Sequence, residues 1–342
     1  MRDARTDHTP SFAAPLFTGT LFALAAGLMW GLVFVGPLLL PEYPATLLSF
    51  GRYLAFGLIA LPLAWYDRAM LAQLTRADWR EAFRLALVGN VIYYLFLASA
   101  IQRAGGPLPT MIIGTLPVVI AITANLRGQR AGTRREERLP WGKLAPSLLL
   151  IALGIALVNH SEVALLRAAP DADFGRYLFG GVLAIGAVAC WTWYPIRNAE
   201  WLRAHPDRSP RGWATAQGLA TLPLALAGYA LTWLWFAASA APFAMPLGPR
   251  ALEFVGLMVA IGLFSSWLGT LCWNEASQRL PPMLAGQLIV FETLAALAYA
   301  FALRGRVPAW ATLAGIALLV AGVVWALRAK PVAQSAVTST ES

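Results

Sequence analysis

Long apolar runs separated by short polar segments make up most of the chain. A bilayer core about 30 Å thick needs about 20 helical residues per crossing, and ten runs approach or exceed that length. They cover residues 17–39, 46–66, 81–101, 108–125, 144–159, 177–197, 213–237, 252–274, 283–303 and 309–327. This pattern predicts an all-α polytopic membrane protein with ten transmembrane helices, numbered here as spans 1 to 10.

Composition excludes a soluble protein. Of the 342 residues, 58% are hydrophobic and 13% are charged, whereas soluble domains carry about 25% charged residues. The net charge of +9 is spread between the apolar runs rather than clustered with aromatic residues, so we expect no nucleic-acid partner. The two cysteines lie inside apolar runs, where a disulfide is not expected. The expected partners are the lipid bilayer and a small-molecule substrate, without a cofactor or a metal, and a homodimer is left open.

The distribution of basic residues predicts the orientation. Ten spans put both termini, 1–16 and 328–342, on one side, and nineteen of the 26 Lys and Arg residues fall on that side against seven on the other. Because short cytoplasmic loops carry the excess of basic residues, both termini are expected in the cytoplasm.

Two weak self-similarities predict an internal repeat. A shift of 176 positions pairs Ala100, Gln102, Arg103 and Ile113 with Ala276, Gln278, Arg279 and Ile289. A shift of 161 positions pairs Gly19, Ala23, Ala26 and Trp30 with Gly180, Ala184, Ala187 and Trp191. Together they map spans 1, 3 and 4 onto spans 6, 8 and 9. Since five spans end on the far side of the membrane, the two repeats, 17–159 and 177–327, are expected to be inverted.

These features resemble the drug/metabolite transporter superfamily, in particular its EamA-type branch of bacterial inner-membrane transporters. The resemblance rests on the five-plus-five spans, a Gly/Ala-rich first span ending in Trp30, a Pro-containing hinge between spans 3 and 4, and Glu292 inside span 9. Family members often carry a Glu-Pro pair in spans 4 and 9. Here span 4 reads Leu116-Pro117 and span 9 reads Glu292-Thr293, so each half retains one residue of the pair. The resemblance implies a secondary transporter that exports small metabolites, such as amino acids or related compounds, by alternating access.

Two charged residues, Arg52 and Glu292, lie deep inside spans, where an ionised group costs at least about 2.5 kcal/mol. Glu292 is nine residues into span 9, near the bilayer midplane, where a low dielectric favours its protonated form. It is therefore a candidate proton carrier or substrate ligand, with a helix-tying hydrogen bond as the alternative. Arg52 is six residues inside span 2, from which it can snorkel to the headgroups, clamp a substrate carboxylate or pair with Glu292.

Aromatic and amide side chains extend this candidate site, because an amide in lipid needs a protein or water partner. We expect spans 1, 3, 6, 8 and 9 to line a central cavity, with helix packing as the alternative role of each side chain. The candidate lining residues are Trp30, Arg52, Asn90, Tyr94, Trp191, Tyr194, Asn274 and Glu292.

An integral-membrane enzyme acting on lipid-linked or amphiphilic substrates is the alternative function. Such an enzyme needs nucleophiles, bases or metal ligands gathered at one membrane face. The three histidines, His8, His160 and His205, instead lie in the N-terminal tail and in loops predicted on opposite sides, without a zinc-binding spacing. A pore is disfavoured because Arg52 and Glu292 form no ring of matching polar groups. The sequence therefore favours a transporter over an enzyme.

The predicted orientation is tested by reporter fusions. Alkaline phosphatase, which is active only outside the cytoplasm, should be inactive when fused after Ser342 and active when inserted in the loop 160–176. The reverse pattern would contradict both the orientation and the inverted relation of the repeats.

Overall fold

The computed structural model describes residues 13–130, 141–167, 173–239, 243–280, 285, 288–305 and 308–328. Within these ranges all regular secondary structure is helical. Parts of the predicted tails, residues 1–12 and 329–342, and the start of predicted span 9 at 283–284 lie outside the described residues.

Ten main helices of the described chain follow the ten predicted apolar runs. Those of the first half are α1 (Ala13–Gly31), α2 (Ala45–Tyr66), α3 (Arg76–Ala104), α4 (Pro107–Ile113 and Leu116–Arg130) and α5 (Trp141–Arg167). Those of the second half are α6 (Phe174–Ala204), α7 (Pro210–Ala238), α8 (Ala251–Arg279), α9 (Val290–Arg304) and α10 (Trp310–Arg328). Shorter pieces extend α1 through the 3-10 turn Leu32–Phe34 and the helix Val35–Leu39, and follow α2 at Arg68–Leu71.

Six of these helices are long and apolar enough to cross a membrane in the described part of the chain. They are α1 with its extension (Leu16–Leu39), α2, α3, α6, α7 and α8. Shorter apolar stretches lie in α4, α5, α9 and α10, at Leu108–Ile120, Ala145–Val158, Val290–Leu303 and Trp310–Gly322. A helical membrane protein is therefore confirmed, and the ten-span inverted arrangement stays a prediction.

Four of the helices are interrupted near the middle of the molecule. The central parts of α3 and α8 are π-helical, at Leu85–Ile92 and Gly262–Leu268. Helix α4 breaks between its two segments, and α9 begins only after a turn at Ile289. As a result, Glu292 lies in the first turn of α9 rather than nine residues inside a continuous helix. Irregular backbone at this depth requires protein or water partners for its free polar groups.

The main core lies among α1, α2, α3, α6, α7 and α8, and a smaller apolar cluster packs α4, α5, α9 and α10 together. The closest helix pairs are α5 with α10, α2 with α7, α3 with α6, and α1 with α8 and α9. Glycines allow the α5–α10 contact: a Cβ atom added at Gly154 would lie 2.6 Å from the carbonyl oxygen of Gly315. Small residues at helix interfaces let backbones approach in this way.

This contact predicts the outcome of a paired glycine substitution. Gly154→Val places a branched side chain against the α10 backbone, so we expect about 1–3 kcal/mol of destabilisation from overpacking. The matched control is Gly256→Val in α8, because Gly256 is exposed and nothing lies within 4 Å of its added Cβ. Thermal unfolding in detergent measures both. Equal melting temperatures for the two variants would contradict the α5–α10 packing.

Candidate functional site

A small enclosed cavity lies between the helices near their interruptions. Its volume of about 10 Å³ leaves room for about one water molecule. Side chains from α1 and its extension, α2, α3, α6, α8 and α9 surround it. The lining residues are Trp30, Val33, Arg52, Tyr53, Gly89, Asn90, Tyr93, Trp191, Ser265, Ser266, Thr270 and Glu292.

Arg52 does not snorkel to the membrane surface: it is only 4% exposed and points into this cavity. Its Nε donates a hydrogen bond to Oγ of Ser266 at 2.9 Å. The guanidinium lies over the rings of Tyr53 and Tyr94, at 4.8 and 4.5 Å from their centroids, which is cation–π geometry. Its Nη1 is buried and has no hydrogen-bond partner among the described residues. The side chain is thus held firmly and keeps a donor free.

Glu292 faces the same cavity and is 1% exposed. The hydroxyl of Tyr93 donates to its Oε1 at 3.5 Å, and its Oε2 has no hydrogen-bond partner within the described chain. No ion pair within 4.0 Å joins Glu292 to Arg52 in the described residues. A basic and an acidic side chain therefore share one cavity, each with a polar atom left over.

Aromatic rings form the other walls of the site. Trp191 lies between the rings of Tyr93 and Tyr194, with centroid distances of 4.7 and 4.9 Å and interplanar angles of 20° and 3°. The ring of Trp30 meets that of Trp191 edge-on, with a centroid distance of 4.9 Å. Stacked and edge-on rings of this kind offer apolar and cation-binding surface.

The structure brings five of the eight predicted side chains to the cavity wall: Trp30, Arg52, Asn90, Trp191 and Glu292. The other three, Tyr94, Tyr194 and Asn274, lie behind it. Tyr94 packs under Arg52 and donates to the carbonyl of Val33 at 2.9 Å. Tyr194 backs Trp191 and donates to Oε1 of Gln217 at 2.8 Å.

Asn274 belongs to a buried amide network rather than to the cavity. Its Oδ1 accepts from Asn198 at 2.8 Å, and its Nδ2 donates to the carbonyl of Pro210 at 3.1 Å. The side chains of Gln217 and Trp213 both donate to Oδ1 of Asn198. This network joins α6, α7 and α8, so the amide finds its partner in protein and needs no water.

Seven lining residues were not among the predicted site residues: Val33, Gly89 and the five hydroxyl-bearing residues Tyr53, Tyr93, Ser265, Ser266 and Thr270. Tyr93 was detectable, since it lies three positions after Asn90 on the same face of α3. The serines carry no charge and are ordinary in helices. Their one sequence signal is the shift of 176 positions, which pairs Ser266 with Asn90.

Polar contacts join the two halves of the chain at both ends of the helix bundle. At the end of the bundle where Arg197 and Arg211 lie, called here the arginine-rich face, Asp67 accepts from Arg211 and Thr215, both at the start of α7. Arg197 of α6 pairs there with Glu81 of α3 at 2.9 Å. These contacts tie the two halves of the chain together.

At the opposite face, the Tyr43 hydroxyl donates to the carbonyl of Leu247 and accepts from the backbone N–H of Arg250. Its ring stacks on Phe254 with a centroid distance of 5.0 Å. Contacts between the two halves therefore hold both ends of the bundle together, and the lining residues of the cavity are buried.

Metal ligation has no support in the described ranges, which contain no group of three or more His, Cys, Asp or Glu side chains able to hold an ion. The two cysteines, Cys190 and Cys272, are free thiols. The chemistry of the site is therefore that of Arg52, Glu292, hydroxyls and aromatic rings.

The structure defines a bundle of apolar helices around a small buried polar cavity, and comparison with known proteins identifies its family. Residues 17–160 match the EamA-like transporter family, and the chain belongs to this family, as its resemblance predicted. It is 57% identical over 316 residues to the inner membrane protein YtfF of Escherichia coli (strain K12), covering 92% of this chain and 97% of that protein. The protein is thus a multi-pass transporter of the inner membrane.

A solved crystal structure has the same fold. It superposes with a TM-score of 0.62 at 19% sequence identity, and the match covers 90% of this chain and 96% of the other. At that level of identity the likeness concerns the fold alone.

The closure at the arginine-rich face predicts how accessible the cavity is. Arg211→Gln removes the charged partner of Asp67, whose side chain is only 2% exposed, so we expect this face to open more often. A cysteine placed at Thr270 on the cavity wall, in a Cys190→Ser, Cys272→Ser background, should then react about tenfold faster with a maleimide added at that face. A tenfold change corresponds to about 1.4 kcal/mol.

The matched control is Arg84→Gln. Arg84 forms its ion pair with Glu81 of the same helix, so its loss separates no helices. Equal labelling rates with Arg211→Gln and Arg84→Gln would contradict a closing role for the Asp67–Arg211 pair.

Proposed function

We propose that the protein is a secondary transporter that exports small metabolites, amino acids or related compounds, by alternating access. In this proposal the repeats 17–159 and 177–327 are inverted relative to each other, both termini are cytoplasmic, and the substrate binds in the cavity between the halves. Transport then requires the cavity to open to one side of the membrane at a time.

The pattern of helix packing supports the inverted repeat. A two-fold axis relating each helix to the one five positions later predicts that every helix contact recurs between the equivalent helices, and that helices beside the axis meet their own equivalents. Helices α2 and α7 pack on each other, as do α5 and α10. The α3–α6 contact likewise has its equivalent in the α8–α1 contact.

The local interruptions support the same relation. A shift of 176 positions superposes the π-helical residues Leu85–Ile92 on 261–268, which include the π-helical Gly262–Leu268. The same shift places the break at residues 114–115 of α4 on 290–291, one residue past the turn at Ile289. Discontinuous helices at equivalent positions of two repeats are typical of transporter binding sites.

One observation carries the proposed substrate class: Arg52 and Glu292 share a cavity without pairing, and each has an unpartnered polar atom. A guanidinium suits a carboxylate, and a carboxylate suits an ammonium group. A zwitterion such as an amino acid satisfies both, and its side chain finds aromatic surface at Trp30 and Trp191. Space for about one water does not admit such a molecule, so binding needs an open state.

Proton coupling through Glu292 is the proposed driving force. Its surroundings, a Tyr93 hydroxyl and a cavity, allow it to exchange a proton for a substrate ammonium group. If the protonated and ionised forms favour different open states, flux becomes coupled to the proton gradient.

Comparative metabolite profiling tests the proposed export. The medium of cells that overexpress the protein is compared with that of deletion cells and of cells with an empty vector. Selective accumulation of one amino acid or related compound in the medium supports the proposal. Unchanged small molecules together with altered lipids would favour a membrane enzyme instead.

The role of Glu292 is tested in proteoliposomes with the compound that profiling identifies. Glu292→Gln keeps the size and hydrogen-bonding capacity but cannot titrate, so we expect loss of proton-driven flux and of its pH dependence. Glu253→Gln is the matched control, since Glu253 is exposed at the start of α8 and pairs with Arg250. Wild-type rate and pH dependence in a folded Glu292→Gln protein would make Glu292 a packing residue.

A further inference from the structure

The two π-helical segments supply the cavity wall from equivalent positions of the two halves. Such segments account for well under 1% of residues in proteins and are frequent at functional sites. Here both lie in the middle of long helices, α3 and α8. The shift of 176 positions pairs Gly89 with Ser265 and Asn90 with Ser266, and all four residues line the cavity.

The two segments differ in the chemistry they present. A Cβ added at Gly89 would lie 2.1 Å from the Tyr194 ring, so this position admits the aromatic stack. Nδ2 of Asn90 donates a hydrogen bond to Oγ1 of Thr221 in α7 at 3.2 Å. Ser266, at the equivalent position of α8, instead contacts the charged side chain of Arg52. The two equivalent positions of the repeats therefore differ, since one contacts the neutral Thr221 and the other the guanidinium of Arg52.

The hydroxyl of Ser266 is oriented by the π-helical turn itself. Its Oγ donates to the carbonyl of Ile261 five residues earlier, at 3.5 Å, and accepts from Nε of Arg52 at 2.9 Å. With its proton directed to the backbone, the oxygen offers a lone pair to the guanidinium. This bond holds one edge of Arg52, and its Cζ lies 4.8 and 4.5 Å from the ring centroids of Tyr53 and Tyr94.

Holding the Nε edge leaves the other end of the guanidinium to face a ligand. Nη1 is buried without a partner among the described residues, although a buried charged donor normally has one. The planar group presents its donors in a fixed fork, so fixing one edge determines where the others point. Loss of the Ser266 bond would let the fork rotate between the two rings.

We propose that Ser266 is a positioning residue that aims Arg52 at the carboxylate of the substrate and thereby determines selectivity for carboxylate-bearing molecules. This inference rests on the proposed transport function and deepens it. Ser266 acts through Arg52 and not by its own contact with the substrate. Its effect should therefore depend on whether the ligand carries a carboxylate.

The test compares acids with their amides. Purified wild type, Ser266→Ala, Ser266→Thr and Ser277→Ala are reconstituted in lipid nanodiscs and titrated calorimetrically with the L-α-amino acids and their C-terminal amides. Ser277 is the matched control because it is a buried serine of α8 outside the cavity whose hydroxyl has no partner in the described chain. If Ser266→Ala does not fold, Ser266→Cys replaces it, since a thiol has similar size but accepts hydrogen bonds weakly.

We expect Ser266→Ala to weaken acid binding about tenfold and amide binding less than twofold. Ser266→Thr should restore wild-type affinity, and Ser277→Ala should retain it. An equal loss for acids and amides, or no loss for either, would overturn the proposal, because a general packing defect does not distinguish the two ligands.

A measurement without ligand separates this proposal from the substrate class. If no acid binds the wild type, the proposed substrate class fails, and the ¹⁵N resonance of the Arg52 Nε–H then decides on positioning. That resonance, assigned by its absence in Arg52→Lys, should exchange faster with water in Ser266→Ala and recover in Ser266→Thr. An unchanged exchange rate in Ser266→Ala would overturn the positioning role.

Discussion

Two ionisable side chains, Arg52 and Glu292, lie buried in one cavity between the helices without forming an ion pair. Each costs several kcal/mol to bury unless other groups replace the lost water. For Arg52 the replacement comes from Ser266 and two tyrosine rings, and for Glu292 from the Tyr93 hydroxyl. These contacts come from α2, α3, α8 and α9, so the packing of both halves depends on holding this pair apart.

The helix interruptions follow from the same constraint. Helix α1 packs on the backbone of α9 at Glu292 because Gly27 has no side chain. A Cβ added at Gly27 would lie only 3.0 Å from the amide nitrogen of Glu292. The π-helical segments bring Asn90 and Ser266 to the cavity, and the turn at Ile289 brings Glu292 to it. The cavity itself is too small for a metabolite, and polar contacts join the two halves at both faces. Breaking one set while keeping the other is what alternating access would require.

The site residues that the sequence predicted correctly are those whose burial in an apolar run carries a high free-energy cost. A charge inside an apolar run is expensive wherever the chain folds, which is why Arg52 and Glu292 were found. Asn274 was assigned to the cavity by the same reasoning, but its amide needed only a partner, and Asn198 supplies one. A run of apolar residues cannot distinguish a protein partner from a cavity.

Other features depend on contacts between distant parts of the chain. Snorkelling of Arg52 was one of the predicted alternatives because its long side chain can reach the headgroups from six residues inside a span. In the structure its Nε instead donates to Ser266, which lies 214 positions later in the sequence. The π-helical turns were not predicted, because a change of helical period over one or two turns does not alter the hydrophobic pattern of a continuous apolar run. Helices were predicted where apolar runs are bounded by polar residues, and six of those in the described chain are long and apolar enough to cross a membrane.

The central claim, that this closed cavity opens to one side at a time, is tested most directly by distances measured at both faces. Spin labels at positions 80 and 207 report on the arginine-rich face, and labels at 41 and 252 on the opposite face, in a protein without Cys190 and Cys272. Double electron–electron resonance spectroscopy in nanodiscs measures both distances, at pH values from about 5 to 8 and with or without the exported metabolite. The account predicts that the long-distance population rises at one face as it falls at the other. Simultaneous opening of both faces, or fixed distances at both under every condition, would contradict it.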